Sequence, residues 1–150
     1  MEALSLAKEA FALGAKWVVL PEFFTTGITF DDVMLDGARP IEGEPTEMIL
    51  EVAKECGGVL AGSFLAKSDG HVFNTMMVAS PDGQTYSHDK DFPSGPIEHS
   101  YYIGAEDEEF VSILQDRGIQ TANAPTKPRV GTNVDGLFQI DEVNVSVALC

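Results

Sequence analysis

The chain has 150 residues, 44% of them hydrophobic, which suits one globular domain over residues 1–150. It carries 24 Asp and Glu against 9 Lys and Arg, a formal net charge of −15, which argues against nucleic acid or an anionic membrane as partner because phosphate binding needs a basic footprint. No window holds the roughly 18 consecutive apolar residues of a membrane span, and "MEALSLAKEAF" lacks the basic start of a secretory leader, so the cytoplasm is the expected compartment.

The first periodic segment, residues 2 to 14, predicts an amphipathic helix. Leu6, Ala10 and Leu13 form the stripe, Ala3, Ala7 and Phe11 widen it, and Gly14 caps it. "WVVL", Trp17 to Leu20, is short and continuously apolar, as a strand buried on both faces would be, and Pro21 ends it. "GEPTEMILEVAKECGG" predicts a second helix. Pro45 suits its first turn, Gly57 and Gly58 stop it, and Ile49, Val52, Ala53 and Cys56 share one face, so Cys56 reads as a core residue. Strands follow at Val59 to Ala66, at "VFNTMMVAS" and at "QTYSH", separated by the turns "SDGH" and "PDG". From Asp91 to Asp135 the pattern reads as loops. "EEFVSILQDRG" holds a short helix, and "NAPTKPRVGTNVDG" is an exposed loop. "LFQI", "DE" and "VNVSVALC" predict a hairpin whose second strand ends at Cys150. Helix, strand, helix and antiparallel strands add up to one α/β domain with a mixed sheet.

Three places could carry chemistry. Glu22 follows a buried strand and a proline and is flanked by Phe23 and Phe24. A half-desolvated carboxylate there suits a general base, although the stretch alone reads as an exposed loop glutamate. Lys90 sits between Asp89 and Asp91, alone a solvated surface lysine, with Glu98 eight residues on before Tyr101 and Tyr102. Cys150 ends an apolar strand, where cysteine is usually structural, yet a thiol becomes a nucleophile beside a cation or a base. Two cysteines make no disulfide framework, and no Cys/His cluster predicts a metal.

Taken together and in order, "VVLPEFF", "GSFLAKSDGHVFNTMMVASPDGQTYSHDKDFP" and "VALC" resemble the carbon–nitrogen hydrolase (nitrilase) superfamily. The resemblance covers residues 1 to about 104 and 137 to 150. It rests on Glu22, on the Phe73-Asn74-Thr75 run and the Pro81-Asp82-Gly83 turn, and on Lys90, Glu98 and Cys150. It implies a four-layer α-β-β-α sandwich with a mixed sheet. It also implies a Glu-Lys-Cys triad of Glu22, Lys90 and Cys150, supported by Glu98, that opens a small-molecule amide or nitrile through a thioester. No metal or organic cofactor is implied, and the family associates as homodimers or larger homo-oligomers.

Measured against that family, the chain lacks the first strand and the C-terminal half of the sandwich. Residues 105–136 read as an insertion, and the chain stops at Cys150. The expectation is a fragment that is inactive by itself. Three rivals share the sequence: an acidic interaction module with a structural Cys150, a cysteine–histidine hydrolase using His88 or His99, and an acyltransferase built on the same triad.

Overall fold

The structure is a computed structural model that describes residues 2–29, 32–100, 102, 104, 112–113, 115–118 and 136–149. Helix α1 spans Glu2–Ala12, strand β1 Trp17–Val19, a 3₁₀ turn Asp32–Gly37, strand β2 Arg39–Pro40 and helix α2 Glu44–Cys56. Strands β3, β4 and β5 span Val59–Ser68, His71–Ala79 and Thr85–Asp89. Helix α3 spans Gly95–Glu98, and strands β6 and β7 span Leu137–Ile140 and Val143–Ser146.

The long strand β3 organises the sheet. Along one edge it takes two parallel partners in succession, β1 from Trp17↔Val59 to Val19↔Ala61 and β2 at Arg39↔Ala66 and Pro40↔Lys67. Along the other edge lies β4, antiparallel, with β5 antiparallel beyond it. The sheet is mixed, as the sequence predicts. The β3–β4 turn forms because Asp69 and Gly70 both take positive φ, 51° and 80°, the backbone that a two-residue type I′ hairpin requires.

Both faces of this sheet are used, and the alternation along β3 assigns them. Leu60, Phe64 and Ala66 meet the helices, in one cluster with Ala7 and Phe11 of α1, Ile49, Val52 and Ala53 of α2, and Met77 of β4. Helix α2 stops as predicted: Gly57 adopts the left-handed conformation at φ 66°, and its N–H donates to the Ala53 carbonyl. Val59 and Ala61 face the other way, toward Phe138 and Ile140 of the β6–β7 hairpin, with Val78 of β4. The layers are therefore helix, sheet and hairpin.

Three expectations change. In α1 the buried face is Ala7 and Phe11, while Leu6 and Leu13 are exposed. The helix ends at Ala12, so Leu13 leaves the stripe, and Ala7 and Phe11 face the core with Ala3 and Leu4 packed beside them. Strand β1 is not buried on both faces: Trp17 and Val19 are exposed. It lies on the sheet edge, and a shallow apolar depression of about 220 Å³ separates these two side chains from Val145 and Val147. Finally, β7 ends at Ser146, not at Cys150, which lies outside the described residues. So do most of residues 105–136.

Candidate active site

Glu22 reaches the site because the chain leaving β1 stays tied to β3. Leu20 N–H donates to the Ala61 carbonyl at 2.7 Å and Phe24 N–H to the Ser63 carbonyl at 3.1 Å. Between them Phe23 N–H donates to the buried Ser63 hydroxyl oxygen at 3.1 Å. Gly62 makes this approach possible: a Cβ there would sit 3.0 Å from the Phe24 ring and 3.2 Å from Leu20. The bend is tight. Phe23 is fully buried yet holds φ at 52°, a conformation that costs a non-glycine residue about 1–3 kcal/mol. Its ring packs edge-on against Tyr102, centroids 6.1 Å apart, in a cluster with Met34, Ala38 and Leu65. Packing of that ring holds the strained turn, and the turn aims Glu22 back over the sheet.

Lys90 arrives by simple strand continuation. It follows β5, and its N–H donates to the Asn74 carbonyl of β4 at 2.8 Å. That pairing puts Lys90 and Asn74 on the hairpin-side face of the sheet, next to Leu65, which pairs with Asn74. The lysine is 1% exposed. Read alone from sequence it is a solvated lysine; the fold buries it with Tyr102 folded back beside it, the ring centroid 5.8 Å from Nζ.

Such an ammonium needs counter-charge. Glu98 Oε2 lies 3.0 Å from Nζ and Glu22 Oε1 lies 3.6 Å from it. Glu98 stands on the short helix α3, and Oε2 also accepts from the Ser94 N–H and the Tyr102 hydroxyl. Its geometry is thus fixed by three donors. Glu22 is looser, its side chain 29% exposed against 8% for Glu98, and Oε1 accepts from Asn74 Nδ2 at 2.7 Å. One carboxylate is locked beneath the lysine, and the other remains open to the surface.

The structure thus brings together Glu22, Lys90 and Glu98, three of the four residues singled out from sequence. The fourth, Cys150, lies outside the described residues. His88 is buried with Nε2 3.7 Å from Asp91 Oδ2, and His99 is buried as well. Among the described residues no group of three or more His, Cys, Asp or Glu side chains could hold a metal ion. No helix among them is long and apolar enough to cross a membrane. Sequence reasoning missed the parts played by Asn74, Ser94 and Tyr102. For Ser94 a signal existed: Ser-Gly-Pro-Ile-Glu has a capping serine, a first-turn proline and a glutamate able to reach back.

Comparison with known proteins decides the family. The carbon–nitrogen hydrolase family matches residues 1–150. The chain belongs to that family. Among curated relatives it is 43% identical over 84 residues to the omega-amidase NIT2-A of Xenopus laevis, an alignment covering 54% of this chain and 29% of that protein. It is 40% identical over 87 residues to a nitrilase of Pyrococcus abyssi, covering 55% and 32%. The chain therefore spans about a third of the length of the curated relatives it matches. Among solved structures, XC1258 of Xanthomonas campestris, a CN-hydrolase superfamily protein, superposes at a TM-score of 0.61 with 28% identity, over 69% of this chain and 38% of that one. An amidase from Nesterenkonia sp. shares the fold at a TM-score of 0.55 and 20% identity, over 70% and 42%. The α/β fold with a mixed sheet is that of carbon–nitrogen hydrolases.

Proposed function

We propose that the full protein hydrolyses the carbon–nitrogen bond of a small amide or nitrile through Cys150, with Glu22 as general base, Lys90 as electrostatic clamp and Glu98 as the anchor of Lys90. The observation that carries this reading is the convergence of two carboxylates, 3.0 and 3.6 Å away, on one buried ammonium. A chain does not bury a lysine between two glutamates from separate segments for stability alone, because an apolar replacement would serve at least as well. The asymmetry of the pair fits two roles: a locked Glu98 that holds the cation, and an accessible Glu22 that can exchange a proton.

Chain connectivity supports Cys150 as the third member. Val147 N–H donates to the Gly136 carbonyl, and Gly136 backs onto the His88 ring. His88 pairs with Met76, two positions before Lys90 on the hairpin-side face. Cys150 follows Val147 by three residues, a reach of at most about 10 Å.

In this mechanism Glu22 takes the thiol proton as sulfur attacks the amide carbon. Lys90 stabilises the oxyanion that develops on the carbonyl oxygen. The C–N bond breaks as Glu22 returns the proton to the departing nitrogen, leaving a thioester. Glu22 then deprotonates a water that attacks the thioester, and the acid leaves as the thiol is restored. A nitrile enters the same route after one additional water. Amides are the first substrates to try, since the vertebrate relatives are named omega-amidases. Self-association, as the family resemblance implies, and the cytoplasmic location expected from the sequence complete the reading.

The test is steady-state hydrolysis of a simple aliphatic amide by the full protein and its Cys150→Ala and Glu22→Gln variants. Each variant is expected to lose a factor of about 10² to 10³ or more in kcat. Normal turnover by Cys150→Ala would sink the proposal.

A further inference from the structure

Asn74 touches both sides of the site at once. Its main-chain carbonyl accepts the Lys90 N–H at 2.8 Å, and its side-chain Nδ2 donates to Glu22 Oε1 at 2.7 Å. It is fully buried, and among the described residues its Oδ1 has no hydrogen-bond partner. A buried amide that gives up one acceptor in order to aim its donor at a carboxylate is oriented by that carboxylate. Turned the other way, Oδ1 would face Glu22 Oε1, two lone-pair-bearing oxygens at hydrogen-bond distance.

From this geometry we infer that Asn74 is the positioning residue of the general base. It holds Glu22 Oε1 against Lys90 and so leaves Oε2 as the oxygen that exchanges the proton. The inference rests on Glu22 acting as base. Oε1 is engaged twice, by Nδ2 and by the ammonium 3.6 Å away. Oε2 belongs to a side chain that is still partly open to solvent. The same residue sets the height of Lys90 through the backbone, so base and clamp are registered to each other by one strand position. Among the described residues the charged groups that pair at this site with Glu22 are Lys90, following β5, and, across it, Glu98 on α3. Against those fixed charges Asn74 supplies a neutral donor to Oε1.

The experiment measures kcat/KM against pH for the full protein and its Asn74→Ala and Asn74→Asp variants, with Glu22→Gln alongside. Asn74→Ala is expected to lose about ten- to a hundredfold in kcat/KM at neutral pH, the worth of a hydrogen bond to a charged group. The loss falls in kcat, and KM stays within about twofold. In Asn74→Asp the new carboxyl can still donate while one proton is shared with Glu22, but the two groups repel once both ionise. That variant, nearly isosteric, is expected to stay active on the acid side and to fall off at a pH where wild type is still fully active. It keeps the test alive if Asn74→Ala does not fold. Variants that melt earlier but keep the wild-type profile would overturn the inference and leave the base assignment standing. Wild-type activity in Glu22→Gln would overturn the assignment itself, and the inference with it.

Discussion

Two lysines show how differently this chain uses the same side chain. Lys8 on α1 meets Glu55 on α2 across the outer surface of the helix layer, Nζ to Oε2 at 2.5 Å, with side chains 45% and 59% exposed. Lys90 meets its two glutamates on the opposite side of the sheet, 1% exposed. By distance alone the surface pair is the stronger. Burial reverses that order, because water screens the first pair and is excluded from the second. The lesson is that the number of ion pairs says little here; the environment of the ammonium decides whether the pair matters to folding and to chemistry.

The largest expected effect comes from removing the buried cation. Lys90→Met keeps the volume but leaves Glu22 and Glu98 facing each other without a counter-ion, and the expected loss is about 3–5 kcal/mol. Urea unfolding of the full chain measures it. Adding Glu22→Gln and Glu98→Gln to Lys90→Met should recover much of that stability while activity stays abolished. A triple variant no more stable than the single one would mean that packing, not charge, holds this region together.

A smaller effect separates the locked carboxylate from the open one. Tyr102→Phe removes one of the three donors to Glu98 Oε2 and keeps the ring that supports Phe23. The expected loss is about 1 kcal/mol, together with a lower kcat, since Glu98 then holds Lys90 less firmly. Unchanged kcat with full stability would show that the Lys90–Glu98 contact does not depend on the tyrosine.

The same contrast marks what could be read from the sequence. The helix layer and the meander were legible because their signals are local. Pro45 and the Gly57-Gly58 pair bracket α2, and Asp69-Gly70 makes a turn that few other pairs make. Glu22, Lys90, Glu98 and Cys150 came from their order along the chain and its likeness to a family, not from any single stretch. The burial of Lys90 was not legible, because Glu22 comes from a segment remote in sequence, and nothing local shows that Glu98 and Tyr102 fold back over the lysine. Nor was the exposure of β1, since a run such as Trp-Val-Val states an appetite for burial without saying how many faces will be covered. Asn74 was visible as part of a motif, but its hydrogen bond to Glu22 crosses 52 positions of chain.

The smallest expected effect is at Lys8, and its pH dependence has a definite sign. Hydrogen bonding to Glu55 raises the lysine above its ordinary value despite some opposing desolvation. The folded chain therefore holds this proton more tightly than the unfolded one. Whatever the pair contributes is present in full below the ordinary lysine value and is lost as pH climbs through the raised one. Lys8→Ala should leave the urea midpoint at neutral pH nearly unchanged, and added salt should erase any difference. Under alkaline conditions wild type should converge on the variant. A gap that widens with rising pH, or one at neutral pH as large as that of Lys90→Met, would mean that the two lysines are not the contrasting pair their burial makes them.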